Sequence, residues 1–299
     1  MKKFFALLLT LAMVLSLAAC GGKKEEAPAE ETKEPEQTET QESAESAVTT
    51  VTAGKLTVAT SPDFASYEFY AIGEDGTPTL AGFDVALAGY IADYLGLELE
   101  MVTVDFDGVL TELQTKSADL GMAGLSPDPK RTSIMDFSDI YYEGGQSFVT
   151  VAGNEDLFPT LEDTNKAEYS IGAQNGSIQM DLANENTPDA DIVPLVKVTD
   201  IIAELLGDKL DGAFIETAVA VNYAQSYPEL AIVLDVPYDS EGSAIGVSKG
   251  NEALLAAVNE AIAAALADGS METFVAEANE LASGEKYEGL LDAQGQVQQ

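Results

Sequence analysis

The sequence lacks histidine and tryptophan, and it contains one cysteine, Cys20, and one arginine, Arg131. A single cysteine cannot form a disulfide within its own chain, so the fold must depend on its hydrophobic core. Without histidine, acid–base catalysis would fall to carboxylates, tyrosines or lysines. Asp105 and Asp107 lie close together, but two carboxylates are too few for calcium. We therefore expect neither a metal nor another cofactor.

Basic side chains are also scarce, because acidic residues outnumber Lys and Arg by 52 to 14 and the formal net charge is −38. Removal of residues 1–19 would delete Lys2 and Lys3 but no acid, which moves the charge to −40. Such a chain offers no basic footprint for phosphates, so we expect no nucleic-acid partner. The charge also disfavours electrostatic docking on anionic lipids, and solubility alone explains it.

The N-terminus has the pattern of a secretory signal, with two lysines, an apolar run from Phe4 to Leu17, and small residues up to Cys20. The apolar run is too short to span a bilayer comfortably. The stretch around Cys20 resembles the lipobox of bacterial lipoproteins. This resemblance implies that residues 1–19 are removed and that Cys20 carries lipid, palmitate included. A buried apolar thiol is the alternative reading.

Residues 20–53 comprise Cys20 and a polar segment with almost nothing apolar before Val48. Such a composition predicts disorder, and a tether of this length reaches on the order of 30 Å. We therefore expect a folded body held at the cell membrane, outside the cytoplasm. Residues 286–299 are predicted to be a flexible tail.

Between the tether and the tail, predicted strands alternate with predicted helices. The first unit reads strand, helix, strand, helix, strand over 55–59, 83–95, 97–104, 108–116 and 119–123. The second unit continues the alternation over 169–173, 177–184, 192–195, 200–206, 212–215 and 218–225, and a strand at 244–247 and a helix at 252–267 follow. This order predicts parallel sheets covered by helices, arranged as two α/β lobes. Asp107 is predicted to be the N-cap of the helix at 108–116.

Ligands of open α/β sheets bind beyond the carboxyl ends of the strands, and five loops there carry candidate residues. The candidates are Phe64, Phe106, Gly124, Ser126 and Arg131, Ser177, and Glu216. A planar guanidinium matches a carboxylate, although a surface salt bridge would also explain Arg131. Glu216 could face a ligand ammonium or simply cap a helix. An α-amino acid has both a carboxylate and an ammonium.

The other candidates also have simpler explanations. The ring of Phe64 would lie either against ligand carbons or over the core of its lobe. Phe106 is harder to assign to a core, because the apolar face of its helix lies further along the chain. Ser177 lies at an anion-friendly helix start, which simple capping explains equally well. Asp63 and Glu68 could face a cationic ligand side chain, but loops tolerate solvated acids as readily.

Five stretches of the body occur together in the order typical of one known family: GKLTVATSPDFASYEF, GFDVALAGYIADYLGLELEMVTVDFDGVLTELQTKSADLGMAGLSPDPKR, DFSDIYYEGGQ, IGAQNGS and LDGAFIETAVA. The chain resembles the family 3 extracellular solute-binding proteins, the polar amino-acid receptors of ATP-driven importers. The resemblance implies an α/β, two-lobed periplasmic-binding-protein-like fold of type II. It implies two hinge crossings, near Gln146 and Ser240. Lobe 1 would span 54–147 and 241–285, and lobe 2 would span 148–240.

The resemblance also implies a role for each candidate residue. Arg131 would bind the ligand α-carboxylate with help from Ser126 and the Ser177 region, Glu216 would bind the α-ammonium in place of the more common Asp, Gly124 would contribute backbone groups, and Phe64 and Phe106 would enclose the ligand side chain. The chain departs from the family pattern at Ala86, Gly124, Ile140 and Glu216, which leaves the identity of the amino acid open.

The implied function is not enzymatic. The protein would be a lipid-anchored receptor, and a monomer, that closes its lobes on an amino acid and delivers it to the membrane permease of an ABC importer. A cyclohexadienyl or arogenate dehydratase is the enzyme alternative, because it shares the fold and Glu216 could serve as its acid. A sensor module that reports to a signalling receptor is a further alternative.

Overall fold

The computed structural model describes residues 48–73, 76–240 and 242–283. The predicted signal peptide, Cys20, most of the predicted tether and the predicted tail lie outside the described residues. Residues 48–53 of the predicted tether are described, and the backbone N–H of Val51 donates to Oδ1 of Asp119 at 2.7 Å. The end of this segment therefore contacts the folded body.

The described residues contain twelve strands and seven α-helices. In chain order the strands are β1 (Lys55–Thr60), β2 (Phe69–Ile72), β3 (Pro78–Ala81), β4 (Glu98–Thr103), β5 (Leu120–Gly121), β6 (Met135–Tyr142), β7 (Gln146–Val151), β8 (Ser170–Gln174), β9 (Asp191–Leu195), β10 (Gly212–Glu216), β11 (Leu230–Asp235) and β12 (Ser243–Ser248). The helices are α1 (Phe83–Leu95), α2 (Phe106–Gln114), α3 (Ile178–Asn186), α4 (Val198–Leu206), α5 (Thr217–Ser226), α6 (Glu252–Ala267) and α7 (Ser270–Ser283).

The strands form two five-stranded sheets and a small hairpin of β2 and β3. The first sheet has the order β4-β1-β5-β12-β6, and with α1, α2, α6 and α7 we call it lobe 1. The second has the order β11-β7-β10-β8-β9, and with α3, α4 and α5 we call it lobe 2. The chain crosses between the lobes twice, after β6 and after β11. The expected two-lobed fold with two crossings is therefore confirmed.

The sequence predicts parallel sheets, and this prediction is correct only in part. Strand β1 runs parallel to β4 and β5, and β8 runs parallel to β9 and β10. The strand that follows each crossing runs the other way, because β12 pairs antiparallel with β5 and β6, and β7 pairs antiparallel with β10 and β11. A chain that passes from one lobe to the other adds these strands without a crossover helix, so nothing forces them to be parallel.

Helices α1 and α2 show how local sequence sets the edges of the site. Helix α1 ends where Gly96 adopts φ 66°, a left-handed conformation that glycine takes at little steric cost. The predicted N-cap of α2 at Asp107 is wrong, because Asp105 accepts the hydrogen bond from Gly108 N at 2.7 Å. Asp107 instead lies one residue inside the helix, where its carboxylate accepts a hydrogen bond from the side chain of Asn175 in lobe 2.

The two lobes lie in direct contact. A continuous cluster of buried apolar side chains includes Phe64 and Tyr67 of lobe 1 together with Val198 and Tyr223 of lobe 2. Since a cluster of this kind excludes water between its members, the arrangement is a closed one. Among the described residues, no single helix has the length and apolar composition of a membrane span. Helices α6 and α7 have that length and composition only when they are taken together, and the angle between the two helices is 77°.

Candidate functional site

Arg131 ends a short 3-10 turn, Pro129–Arg131, that follows β5 and that Asp128 caps by accepting from Lys130 N at 2.8 Å. Its side chain is 8 % exposed, and Nη2 donates to the carbonyl oxygen of Gly176 in lobe 2 at 3.0 Å. The guanidinium carbon lies 5.6 Å from the centre of the Phe106 ring. Within the described part of the chain, no carboxylate lies within 4.0 Å of this guanidinium. Burial lowers the pKa of Arg131.

The surroundings of Arg131 favour an anion. A buried cation that has no charged partner is costly, so a carboxylate that reached this guanidinium would be bound strongly. The N-terminus of α3 lies next to it, because Gly176 precedes Ser177, the N-cap of that helix. The hydroxyl of Ser177 is already used twice, as a donor to Gln174 O and as an acceptor from Met180 N. Any help from this region therefore comes from backbone N–H groups.

Ser126 and Gly124 occupy the segment between β5 and the turn that carries Arg131. Ser126 is buried, at 4 % exposure. The backbone N–H of Gly124 donates to Oδ2 of Asp84 at 3.2 Å, so its carbonyl is the group left for a ligand. Gly124 has φ 56°, and a Cβ at this position would lie 2.6 Å from Cε1 of Phe64. Glycine is therefore required for the Phe64 ring to approach this segment so closely.

Glu216 is the last residue of β10 and the N-cap of α5. Its Oε2 accepts from Val219 N at 2.9 Å, and its Oε1 faces Gly145 N at 3.4 Å, in the first crossing. It is 3 % exposed, and burial raises the pKa of Glu216 to about 7, although these hydrogen bonds and that of Tyr67 act in the opposite direction. A cavity of about 390 Å³ adjoins it, lined also by Tyr142 and Asn222. The site thus has a buried acid in lobe 2 and a buried cation in lobe 1.

The two predicted aromatic residues belong to different parts of lobe 1. Phe64 is 6 % exposed, and its ring centroid lies 5.3 Å from that of Tyr67. Phe106, at 7 %, packs with Val109 and Leu113 of α2 and faces Arg131. The structure therefore brings Phe106, Arg131 and the Ser177 region together, and it brings Phe64 together with Gly124.

Lobe 1 also buries three carboxyl groups beneath the cleft: Asp63, Glu68 and Asp84. Asp84 accepts from Tyr141 OH at 2.6 Å as well as from Gly124, and burial raises the pKa of Asp84 to about 6. Glu68 is 0 % exposed, and its carboxyl group shares a side-chain hydrogen bond with that of Asp84, whereas no amide, hydroxyl or cationic group among the described residues donates to its oxygens. Burial, followed by the charges of Asp84 and Asp63, raises the pKa of Glu68 well above its usual range.

The sequence did not single out Asp84, and it left Glu68 as a loop acid that solvent could surround. The signals were the short stretches Phe83-Asp84-Val85 and Tyr67-Glu68-Phe69, in which an acid lies between apolar residues. Acids in the first turn of a helix are usually exposed and interact with its dipole, so burial of Asp84 does not follow from position alone. The predicted role of Asp63 toward a cationic ligand is not favoured, because lobe 2 occupies its carboxylate.

The two predicted hinge residues lie at the crossings. Gln146 is the first residue of β7, and its Oε1 accepts from Nε2 of Gln179 at 2.8 Å. Ser240 lies in the second crossing, and its hydroxyl donates to Gly242 O at 3.0 Å. That they act as hinges, and the exact lobe boundaries, stay predictions. In the described ranges, no three Asp, Glu or Cys side chains are grouped to hold a metal ion.

The family model of bacterial extracellular solute-binding proteins, family 3, matches residues 56–277. Among curated proteins, the arginine-binding extracellular protein ArtP of Bacillus subtilis is 29% identical over 256 residues, which is 84% of this chain and 88% of ArtP.

Solved structures agree with this similarity. One is the amino acid ABC transporter substrate-binding protein AbpA of Streptococcus pneumoniae bound to L-arginine, with 30% identity, a TM-score of 0.74, and coverage of 78% of this chain and 97% of AbpA. Another is the ancestral amino acid-binding protein AncCDT-1, a precursor of cyclohexadienyl dehydratase, with 28% identity, a TM-score of 0.67, and coverage of 75% and 94%.

Proposed function

The chain belongs to the bacterial extracellular solute-binding proteins of family 3, and we propose that it captures L-arginine and delivers it to the permease of an ABC importer. The family and the relatives support amino-acid binding in ABC transport and a location outside the cytoplasm, both of which the sequence predicts. The choice of arginine, the role of each site residue and the lipid anchor are the proposal.

The α-carboxylate of the ligand binds Arg131. A guanidinium donates two parallel hydrogen bonds to a carboxylate, and the one hydrogen-bond partner of the Arg131 guanidinium among the described residues is a carbonyl, Gly176 O in lobe 2. The N-terminus of α3 adds partial positive charge on the same side. The α-ammonium binds Glu216, the buried acid at the end of β10. An ammonium beside this carboxylate restores its ionised form, which burial disfavours.

The observation that carries the choice of arginine is the carboxyl group of Glu68, which is buried at 0 % exposure beside two further carboxyl groups, those of Asp84 and Asp63. Glu68 and Phe64 exchange backbone hydrogen bonds of 3.0 Å in both directions. Residues paired in this way have side chains on the same face, so Glu68 accompanies the ring that encloses the ligand side chain. A guanidinium on that side chain would supply hydrogen-bond donors and a positive charge to this group of buried acids.

The experiment compares L-arginine with L-citrulline, which has a neutral urea in place of the guanidinium. Isothermal titration calorimetry is performed on the full-length protein and on Glu68→Gln. We expect wild type to prefer arginine, and Glu68→Gln to lose at least about thirtyfold in arginine affinity, because one partner of a buried charge pair is removed. Citrulline affinity should change less than threefold.

Two results would contradict the choice of arginine. One is the absence of arginine binding by wild type, in which case a thermal-shift panel of the twenty amino acids with cystine and ornithine identifies the ligand. The other is an equal loss of arginine and citrulline affinity in Glu68→Gln, which would mean that Glu68 only supports the fold.

The lipid anchor at Cys20 rests on the sequence alone. We expect labelled palmitate to be incorporated into the protein in its host cells, and Cys20→Ala to abolish the label and release the protein from the membrane fraction. Equal membrane retention of the two forms would contradict the anchor. The monomeric state likewise stays a prediction.

A dehydratase is the second candidate, and one observation favours it. Glu216 has a pKa of about 7, so at neutral pH it could donate a proton. The similarity to AncCDT-1, a precursor of cyclohexadienyl dehydratase, points the same way. Prephenate and arogenate are the substrates to test, and we expect no turnover. Turnover that Glu216→Gln abolishes would instead make the protein an enzyme.

A further inference from the structure

Helix α4 of lobe 2 begins without a side-chain cap from its own segment. Lys197 occupies the N-cap position and makes no capping hydrogen bond. The backbone N–H of Val198, the first residue of the helix, donates instead to Oδ2 of Asp63 at 2.6 Å. Asp63 lies in the loop after β1, in lobe 1. The acid at the start of this helix is therefore supplied by the other lobe.

The rest of Asp63 is also engaged by lobe 2. Nε2 of Gln174, at the end of β8, donates to Oδ2 at 3.3 Å, and the hydroxyl of Tyr223 in α5 donates to the carbonyl oxygen of Asp63 at 3.3 Å. Within its own loop, Ser61 donates to Oδ1 at 2.8 Å. Asp63 is 8 % exposed. One residue of lobe 1 thus joins a strand and two helices of lobe 2.

We propose that Asp63 is a latch between the lobes, whose hydrogen bonds to α4, β8 and α5 form only on closure and thereby set how tightly the protein holds its amino acid. The latch rests on the proposed function, since it needs a ligand on which the lobes close. Both carboxylate oxygens of Asp63 are occupied by protein donors, so it is a positioning residue that does not touch the ligand.

A latch acts on closure, and closure is a population shift that each interlobe contact biases by its own strength. When the lobes separate, Asp63 and the N-terminus of α4 each exchange these contacts for water. The partly buried ends of helices gain most from an acid, because little solvent screens the interaction. The exposed interlobe ion pair of Lys130 with Asp181, at 2.8 Å, should contribute far less.

The test measures ligand affinity and release for Asp63→Asn and Asp63→Ala, with Asp181→Asn as the matched interlobe control. Calorimetry gives the dissociation constants of arginine and citrulline, and a chase of bound radiolabelled arginine on filters gives the release rate. For Asp63→Asn we expect about tenfold weaker binding of both ligands, within twofold of each other, and a faster release of similar size. Asp181→Asn should change affinity less than twofold.

The ligand-free melting temperature of Asp63→Asn should stay within a few degrees of wild type, which distinguishes loss of the latch from loss of folding. If Asp63→Ala fails to fold, the binding data of Asp63→Asn alone test the latch. Unchanged affinity in Asp63→Asn would overturn the latch. A loss confined to arginine would also overturn it and make Asp63 a ligand contact. If wild type does not bind arginine, the proposed function fails, and the latch is tested in the same way with the amino acid that the panel identifies.

Discussion

Arg131 combines burial, a carbonyl hydrogen bond and the lack of a carboxylate partner within the described residues. A ligand carboxylate is common to all α-amino acids, so loss of this side chain should affect every ligand equally. We predict that Arg131→Ala weakens both arginine and citrulline binding by at least about thirtyfold in calorimetry. Lys249→Ala, which removes a more exposed cation of lobe 1, is the control and should bind normally. Normal binding by Arg131→Ala would contradict the assignment.

The same buried cation should destabilise the ligand-free protein. Replacing even a paired buried charge, together with its partner, by apolar side chains of similar volume is often neutral or stabilises a protein by about 1–4 kcal/mol, and burial of an unpaired charge is costlier still. We predict that Arg131→Met abolishes binding and raises the ligand-free melting temperature, measured by differential scanning calorimetry. A lower melting temperature would show that the Gly176 hydrogen bond and the Phe106 contact outweigh the cost of burial.

At the scale of elements, two neighbouring acids at the start of α2 have different roles. Asp105 caps the helix, whereas Asp107 contacts Asn175 of lobe 2. We predict that Asp105→Ala lowers the free energy of unfolding by about 1 kcal/mol, the usual effect of losing an N-cap. Asp107→Ala should lower it by less than half of that, and urea unfolding of the two ligand-free variants measures both. Equal losses would mean that Asp105 is not the cap.

Helices α1 to α6 and the strands β1, β4, β5, β8, β9, β10 and β12 follow from the alternation in the sequence, because each carries its own apolar pattern. Strands β6, β7 and β11 do not. Their places are fixed by the crossings and by pairing with strands distant in the chain, such as β12 with β6. The hairpin of β2 and β3 is only four residues per strand, which leaves too short a pattern to identify.

The candidate site divides in a similar way. Arg131 and Glu216 could be found from the sequence, because one is unique in composition and the other ends a predicted strand. Glu68 and Asp63 could not be assigned, because their roles depend on which side of a loop is covered by another element. Asp63 lies 135 residues from Val198 in the chain, and no local pattern connects them.

At the scale of the whole molecule, the fold buries acids that titrate near neutral pH. Burial raises the pKa of Glu216 to about 7 and that of Asp84, which lies within lobe 1, to about 6, whereas carboxyl groups of an unfolded chain titrate near 4. Between about pH 4 and 7 the folded protein therefore binds more protons than the unfolded chain. By linkage, the free energy of unfolding must fall as the pH rises through this window.

We predict that the ligand-free melting temperature decreases from pH 5 to pH 8, and that Glu216→Gln flattens this decrease because it removes the acid with the higher of these two pKa values. Neutralisation of the formal charge of −38 acts in the same direction, so the comparison with Glu216→Gln isolates the buried acid from that general effect. Asp136→Asn is the control. Desolvation raises the pKa of Asp136, but hydrogen bonds from Gly250 and Lys249 outweigh it and lower the pKa, so this acid titrates below the window.

Saturating arginine should flatten the wild-type profile as well, since an ammonium beside Glu216 keeps it ionised. An identical slope in wild type and Glu216→Gln would mean that Glu216 is already ionised at pH 5, and the ammonium would then bind a solvated carboxylate.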